Sequence, residues 1–165
     1  MIIKGFRVYG PLVIQRIEEP IYIWYEEAED CLYVEASGTG TAATSPFIVT
    51  KTAQKDLGEE KTVKFISGTV SGGVTYSISG DPEAATNYGG GGYGQGTIMA
   101  YVECRNSAND TVIKFSLPLL KPLLVRNVRY IVLTIKVPVA AHSKTGLLNS
   151  YSYVANASVQ WKILE

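Results

Sequence analysis

One stretch constrains the fold more than any other: residues 128–137 read Val-Arg-Tyr-Ile-Val-Leu-Thr-Ile-Lys-Val and contain no Gly, Pro or Asn. Residues 130–133 are consecutive and apolar, whereas Leu133, Ile135 and Val137 alternate with polar residues. A continuous apolar run is typical of a strand buried on both faces, and alternation is typical of a strand buried on one face. The stretch therefore predicts a central strand, with the other segments as its sheet neighbours or as a sheet packed on it.

The rest of the chain repeats the strand pattern in short runs separated by Gly, Pro, Asn or acidic residues. The runs are residues 1–9, 12–17, 21–25, 31–36, 47–50, 62–66, 74–79, 97–105, 111–117 and 153–164. We expect nine or ten strands and less than about 10% helix, whereas average globular proteins contain about a third. The 165 residues fit one domain, residues 1–165, and a domain of this size buries roughly two-thirds of its unfolded surface.

The breakers predict the connections. The acidic residues 26–30 favour one helical turn, and residues 51–61 favour a short helix ending at Gly58. Gly72-Gly73 is typical of a hairpin turn, and residues 106–110 form a turn that pairs the runs on either side of it. Residues 117–127, which contain two prolines, predict an extended connection without a regular ladder, and Pro138 is expected to end the central strand. Residues 140–152 are expected to form a loop.

Charge and cysteine content exclude several classes. Fifteen basic and fifteen acidic residues cancel, so the sequence gives no specific nucleic-acid site. Residues 1–103 carry 7 basic against 13 acidic residues and residues 104–165 carry 8 against 2. Either strands of the two halves interleave and mix the charges, or oppositely charged faces favour head-to-tail association.

Cys31 and Cys104 are two thiols or one disulfide. The sequence predicts no secretory signal and no transmembrane segment.

No chemical motif emerges from the candidate sites. The run of residues 89–96 is rich in glycine, but a phosphate loop needs a following helix, and a strand pattern follows instead. We interpret residues 80–96, which include this run, as a flexible loop in which Tyr88 and Tyr93 contact a neighbouring subunit. His142 is the only histidine, and no nucleophile elbow accompanies it. We expect no catalytic residue, no cofactor and no metal, and we interpret the acidic residues 26–30 as a solvated turn.

Eight or more short strands, mostly 8 to 15 residues apart, form the pattern of a jelly roll, a two-sheet antiparallel β-sandwich. In this architecture the whole chain resembles the single jelly-roll capsid proteins of tailless icosahedral viruses, including those that infect archaea. The resemblance implies a structural coat subunit that self-assembles into a virion shell, with copies of itself and other coat proteins as partners. It also implies that sheet edges and long loops contact neighbours, and that the protein is not an enzyme.

Two other functions stay open. A carbohydrate-binding or adhesin sandwich, which would be extracellular, needs exposed aromatic rings on which sugars stack. The candidate rings are Tyr22, Trp24, Tyr33, Tyr76, Tyr101, Tyr151 and Tyr153. A secreted pilus subunit that completes its fold with a donated strand is the third hypothesis.

Overall fold

A computed structural model describes residues 27–41, 47–78, 97–139 and 148–164. Its elements are β1 (Asp30–Thr41), β2 (Phe47–Ile78), β3 (Met99–Arg105), β4 (Thr111–Ser116), β5 (Leu123–Val139) and β6 (Leu148–Ile163). Strand makes up 84% of the described residues, which confirms the all-β class. The strand-patterned runs before residue 26, Tyr88, Tyr93 and His142 lie outside the described residues.

The six strands form one antiparallel sheet in the order β1-β6-β2-β5-β3-β4. β5 contains residues 128–137 and lies in the interior, paired with β2 on one side and β3 on the other, which confirms the predicted central strand. β2 has two partners in turn: its first half pairs with β5 and its second half pairs with β6. We call β3, β4, β5 and the first half of β2 the β5 side, and β1, β6 and the second half of β2 the β6 side.

The expected two-sheet jelly roll is not confirmed, because both sides belong to one continuous sheet. The sheet nevertheless folds back on itself. Phe47 starts β2, and its ring centroid lies 5.6 Å from that of Tyr151, which is paired with Tyr76 near the other end of β2. A straight strand would separate positions 47 and 76 by about 95 Å. β2 must therefore turn back sharply, so that the two sides face each other across a shared interior.

The turn lies where residues 51–61 were expected to form a helix. Gly58 has φ 89°, its N–H donates to Asp56 Oδ1 at 2.8 Å, and the pairing with β5 shifts register between Asp56 and Lys61. Extra residues of this kind bend a strand and increase its twist. The predicted helix is wrong because the polar segment pairs along β5, whose residues provide the apolar contacts that its own composition lacks.

One core fills the space between the two sides. Leu133 and Ile135 are fully buried and Trp161 is 1% exposed, which confirms that the two most regular late strands share a core. Phe65 joins them: its ring lies 5.1 Å from that of Phe115 on β4 and 6.2 Å from that of Trp161 on β6. These edge-on aromatic contacts connect both sides of the sheet.

The hairpin of β3 and β4 is confirmed. In its turn, Asn106 Oδ1 accepts from the Asp110 N–H at 2.9 Å, and Asn109 adopts φ 69°. Four other expected boundaries are wrong. The Gly72-Gly73 turn is an uninterrupted part of β2, β5 begins at Leu123 inside the expected connection, β5 continues through Pro138 to Val139, and β6 begins at Leu148. At each of these places, pairing with a neighbouring strand overrides a local breaker.

Candidate interaction surface

A groove of about 590 Å³ lies between the second half of β2 and the adjoining ends of β3 and β4. One wall consists of residues 70–74, and the other consists of residues 97–101 and 116–118. The groove exists because β5 stops pairing with β2 at Phe65, whereas β2 continues to Ile78. Among the described residues, only Leu119 bridges that edge of β2, at Gly68. Beyond Gly68, that edge of β2 pairs with no residue in the described part of the chain.

Backbone groups point into this groove from both walls. The Leu119 N–H donates to the Gly68 carbonyl at 3.0 Å, so Gly68 directs its polar groups away from β6. Backbone direction alternates along an antiparallel strand, so Val70, Gly72 and Val74 also direct theirs into the groove. On the other wall the Ala100 carbonyl faces the β4 side, where it accepts from the Leu117 N–H at 2.9 Å. By the same alternation, the backbone N–H and C=O groups of residue 98 also point toward the β4 side.

The side chains of the groove are mostly apolar at its base and mixed at its rim. The apolar members are Val70, Val74, Ile98, Met99 and Leu117, and the polar members include Ser71, Thr97, Tyr101, Ser116 and Lys136. Two facing strand edges with apolar side chains between them are the features that bind an extended chain segment. Sequence reasoning missed this wall because it placed a turn at Gly72-Gly73. The signal was present, since the alternation of residues 74–78 continues back through Gly72 to Val70.

β1 is a long edge strand. All twelve of its residues pair with β6 without a register shift, and no other described strand pairs with it. Edge strands of monomeric proteins are usually short, bulged, or protected by Lys or Pro. β1 has none of these features: Asp30 is paired with Lys55 at 3.2 Å, Glu35 is the one other charged residue, and residues 36–41 are small and neutral. Within the described ranges, the outer edge of β1 therefore has no strand paired with it.

The outer face of the β6 side is polar and almost uncharged. Three side-chain pairs link β2 to β6 across it: Ser67 to Gln160 at 2.8 Å, Thr69 to Ser158 at 3.1 Å and Ser71 to Asn156 at 3.2 Å. All three pairs are exposed, so this face is in contact with water. The satisfied pairs make the face a solvated surface.

Charged side chains on the outer face of the β5 side neutralise each other. Glu103 accepts from Arg105 at 3.0 Å and from the Thr111 hydroxyl. The Arg105 hydrogen bond, followed by that of Thr111, lowers the pKa of Glu103. A general acid needs a raised carboxyl pKa, so this arrangement is unsuited to acid catalysis at neutral pH. Nearby, the Lys114 ammonium lies 4.1 Å from the centre of the Tyr101 ring, a cation–π contact.

The described tyrosines among the sugar-stacking candidates do not share a surface. Tyr33 is 53% exposed on the outer face of β1. Tyr101 lies on the outer face of the β5 side beneath Lys114. Tyr151 and Tyr153 stack on each other at 6.4 Å and pack against the core instead. These four rings therefore do not line one sugar site, and Tyr22, Trp24 and the side chain of Tyr76 lie outside the described residues.

The remaining candidate groups are the two cysteines and the acidic residues at the start of β1. Cys31 is exposed and Cys104 is buried, and both are free thiols, so no disulfide joins them. Glu29 accepts from the Ile163 N–H at 3.3 Å, and Asp30 caps the Cys31 N–H at 2.8 Å. The described part of the chain has no group of three or more potential metal ligands. Nor does it form any helix with the length and apolarity needed to cross a membrane.

The two oppositely charged parts of the sequence interleave in the sheet. β1 and β2 come from the acidic part, and β6 and β5 from the basic part lie beside them. Ion pairs cross these boundaries, as in Asp56 with Arg129, whose Oδ1 and Nε are 2.6 Å apart. The interleaved distribution is therefore the one found among the described residues.

No family model matches the chain, and no curated protein matches it. Among solved structures, it is similar to a chain from the structure of infectious bursal disease virus Gx strain, with 12% identity and a TM-score of 0.34 over 81% of this chain and 32% of that one. A chain from the Gt strain gives 10% identity and a TM-score of 0.34, over 90% of this chain and 36% of that one. The protein thus spans about a third of each virus chain.

Proposed function

We propose that the protein is a structural coat subunit that self-assembles into a virion shell, with copies of itself and other coat proteins as partners. The observation that carries this proposal is the outer edge of β1, which is twelve residues long, has no bulge and almost no charge, and pairs with no other strand that the structure describes. A neighbouring strand that pairs with this edge satisfies its backbone N–H and C=O groups by extending the sheet. An edge of this kind favours association, and a protein that works as a monomer would be selected to protect it.

The proposal assigns the protein no catalytic role, no cofactor and no nucleic-acid site. Tyr88 and Tyr93 in the glycine-rich segment remain proposed subunit contacts. Replacing Tyr93 by Ala should weaken assembly and leave the melting temperature of the isolated subunit nearly unchanged. A loss of several degrees in the isolated subunit would instead place Tyr93 in the domain's own core.

The edge proposal is tested by placing a lysine on β1. Thr39 is exposed on the outer face of β1, and Ser152 is its register partner on β6, exposed on the same face. Thr39→Lys should reduce assembly strongly, because an edge lysine opposes pairing with a further strand. Ser152→Lys is the matched control, since it adds the same charge beside the edge but not on it, and should assemble normally.

Sedimentation velocity over a range of protein concentrations measures the outcome, and thermal unfolding of both variants checks that the subunit is intact. A parent protein that stays monomeric at the highest concentrations would overturn the coat proposal. Normal assembly of Thr39→Lys would show that assembly does not use the β1 edge.

The groove beside β2 favours a second candidate, a pilus subunit that receives a donated strand. Both candidates are self-assembling, and they differ in the form of the product. Electron microscopy of the assembled protein separates them, because a coat subunit should give closed shells and a pilus subunit should give filaments.

A further inference from the structure

We propose that the groove between β2 and β3 receives residues 21–25 of a second copy as an added strand. This inference rests on the proposed self-assembly and names one contact that produces it. It concerns a surface separate from the β1 edge, so the two contacts can be tested independently.

The groove offers what an added strand needs. Val70, Gly72 and Val74 direct backbone groups into it from one wall, and residue 98 does so from the other. Main-chain hydrogen bonds of this kind supply affinity in strand addition, and pockets for alternate side chains supply specificity. On the β2 side the groove is lined by residues 70–74, so an added strand has at least five residues beside which it can pair.

Residues 21–25, Ile-Tyr-Ile-Trp-Tyr, match this site in length and pattern. They contain no Gly, Pro or charged residue, and Pro20 directly before them limits the strand at that end. Ile21, Ile23 and Tyr25 share one face and suit the apolar base of the groove. Tyr22 and Trp24 share the other face and suit the rim, where the Lys136 ammonium offers a cation for an aromatic ring.

The geometry of the chain requires a second copy. Glu29 is fixed to β6, because its N–H donates to the Trp161 carbonyl at 2.8 Å. Asp30 is level with Trp161 and Phe65, and the groove begins five residues beyond Phe65 at Val70. Because of the bulge between Phe65 and Ser67, Val70 is opposite Ala157, which is five positions along the sheet from the level of Glu29. With three strand spacings across the sheet, the groove lies about 22 Å from Glu29. Four residues join Tyr25 to Glu29 and span at most about 14 Å, so this segment cannot reach the groove of its own subunit.

Charge is consistent with a head-to-tail contact. The segment lies between Glu18-Glu19 and the acidic residues that begin at Glu26. The groove, in contrast, has Lys136 on its rim. Opposite charges at the two ends of a contact guide association and fix its orientation. A contact between different surfaces of identical subunits is heterologous and propagates from copy to copy, as an assembling subunit requires.

Disulfide trapping tests the contact. One chain carries Ser71→Cys, since residue 71 is exposed on the groove wall, and a second chain with a different affinity tag carries Tyr22→Cys or Trp24→Cys. Cys31→Ser is present in both chains, because Cys31 is an exposed thiol that would cross-link elsewhere. The two chains are mixed, assembled and oxidised mildly. The expected result is a covalent dimer that contains both tags and is absent when Ser107→Cys, in the exposed β3–β4 turn, replaces Ser71→Cys.

A chain with both cysteines separates the sources of the strand. If it forms only an intrachain disulfide, the segment occupies its own groove and the second-copy proposal is overturned. If the mixed chains assemble without a cross-link to Ser71→Cys in either pairing, the groove contact is wrong while the coat function stands. If the parent chain does not assemble, both proposals are wrong.

A substitution in the inserted segment gives an independent measurement. Ile23→Lys should lower the assembled fraction at least tenfold at a fixed concentration and leave the melting temperature of the dilute subunit unchanged. Ser107→Lys, in the exposed turn between β3 and β4, is the control and should assemble as the parent does. Normal assembly of Ile23→Lys would overturn the proposal.

Discussion

Gly72 and Gly73 are adjacent in β2, yet replacing each by alanine should have opposite effects on stability. Gly72 has φ 137°, in the region that favours glycine, and an added Cβ would lie 2.4 Å from the Val154 carbonyl oxygen and from the Ala155 Cα. Both atoms belong to the backbone of β6, so they cannot move without disturbing the ladder. Gly73 has no atom within 4 Å of its Cβ position and has no positive φ.

The expected magnitudes follow from these surroundings. A non-glycine residue held in a sparsely populated backbone region costs about 1 to 3 kcal/mol, and the contact with β6 adds to this cost at Gly72. Alanine at a compatible position stabilises by about 0.4 to 1 kcal/mol, because the unfolded chain loses freedom. Gly72→Ala should therefore be less stable than Gly73→Ala by about 2 to 4 kcal/mol. For a chain of this length the melting temperatures should differ by roughly 5 to 15 °C.

Urea unfolding followed by far-UV circular dichroism measures the difference directly, on dilute subunits so that assembly does not contribute. If both glycines belong to one continuous strand, only Gly72→Ala loses stability. A two-residue hairpin loop with positive φ at both positions would make both substitutions destabilising. Equal unfolding midpoints for the two variants would therefore refute the continuous strand and, with it, the β2 wall of the groove.

Three further outcomes are expected. Leu133→Ala should cost about 2 to 5 kcal/mol in urea unfolding, because the side chain is fully buried, and a loss below about 0.5 kcal/mol would contradict the core assignment. In the folded protein a maleimide at pH 8 should label Cys31 and not Cys104, because burial raises the pKa of the Cys104 thiol to about 12; mass spectrometry should show the second label only in urea. Hydrogen bonding to Arg129 lowers the pKa of Asp56 below its usual 3.8, so its stabilising contribution is present above about pH 4 and is lost as pH falls through the folded pKa. Asp56→Asn should therefore show a smaller drop in urea midpoint between pH 6 and pH 2.5 than the parent, and equal drops would contradict this.

The sequence predicted the elements whose pattern is strong over their whole length. Residues 128–137 lie inside the interior strand β5, and the turn at residues 106–110 joins β3 to β4, because apolar alternation and Asn-rich turns act locally. Burial of Trp161 in the same core as Leu133 followed from the same alternation. In these elements the local preference and the tertiary fold agree.

The errors lie where pairing overrides local preference. Residues 51–61 are polar, and their register against β5, with Ala53 opposite Leu133 and Lys55 opposite Ile131, is a tertiary fact that composition does not contain. Gly72-Gly73 was interpreted as a turn because adjacent glycines are a local turn signal, whereas pairing with Ala155 and Val154 keeps both glycines in β2. The strand pattern of the β2 wall is present in the sequence, but the groove itself depends on where β5 stops pairing with β2, which no local pattern contains.

The pairing of β1 with β6 also has a consequence during protein synthesis. Asp30 is matched with Trp161, about 130 residues later in the chain. Ribosomes add about 5 to 20 residues per second, so a newly made β1 waits on the order of ten seconds before the strand that it needs has been translated. During that interval β6 is not yet available to pair with β1. Nascent chains on one polysome would then be able to pair through either edge of β1. We therefore expect the domain to fold only after β6 has left the ribosome, and its yield to depend on chaperones that bind extended chains.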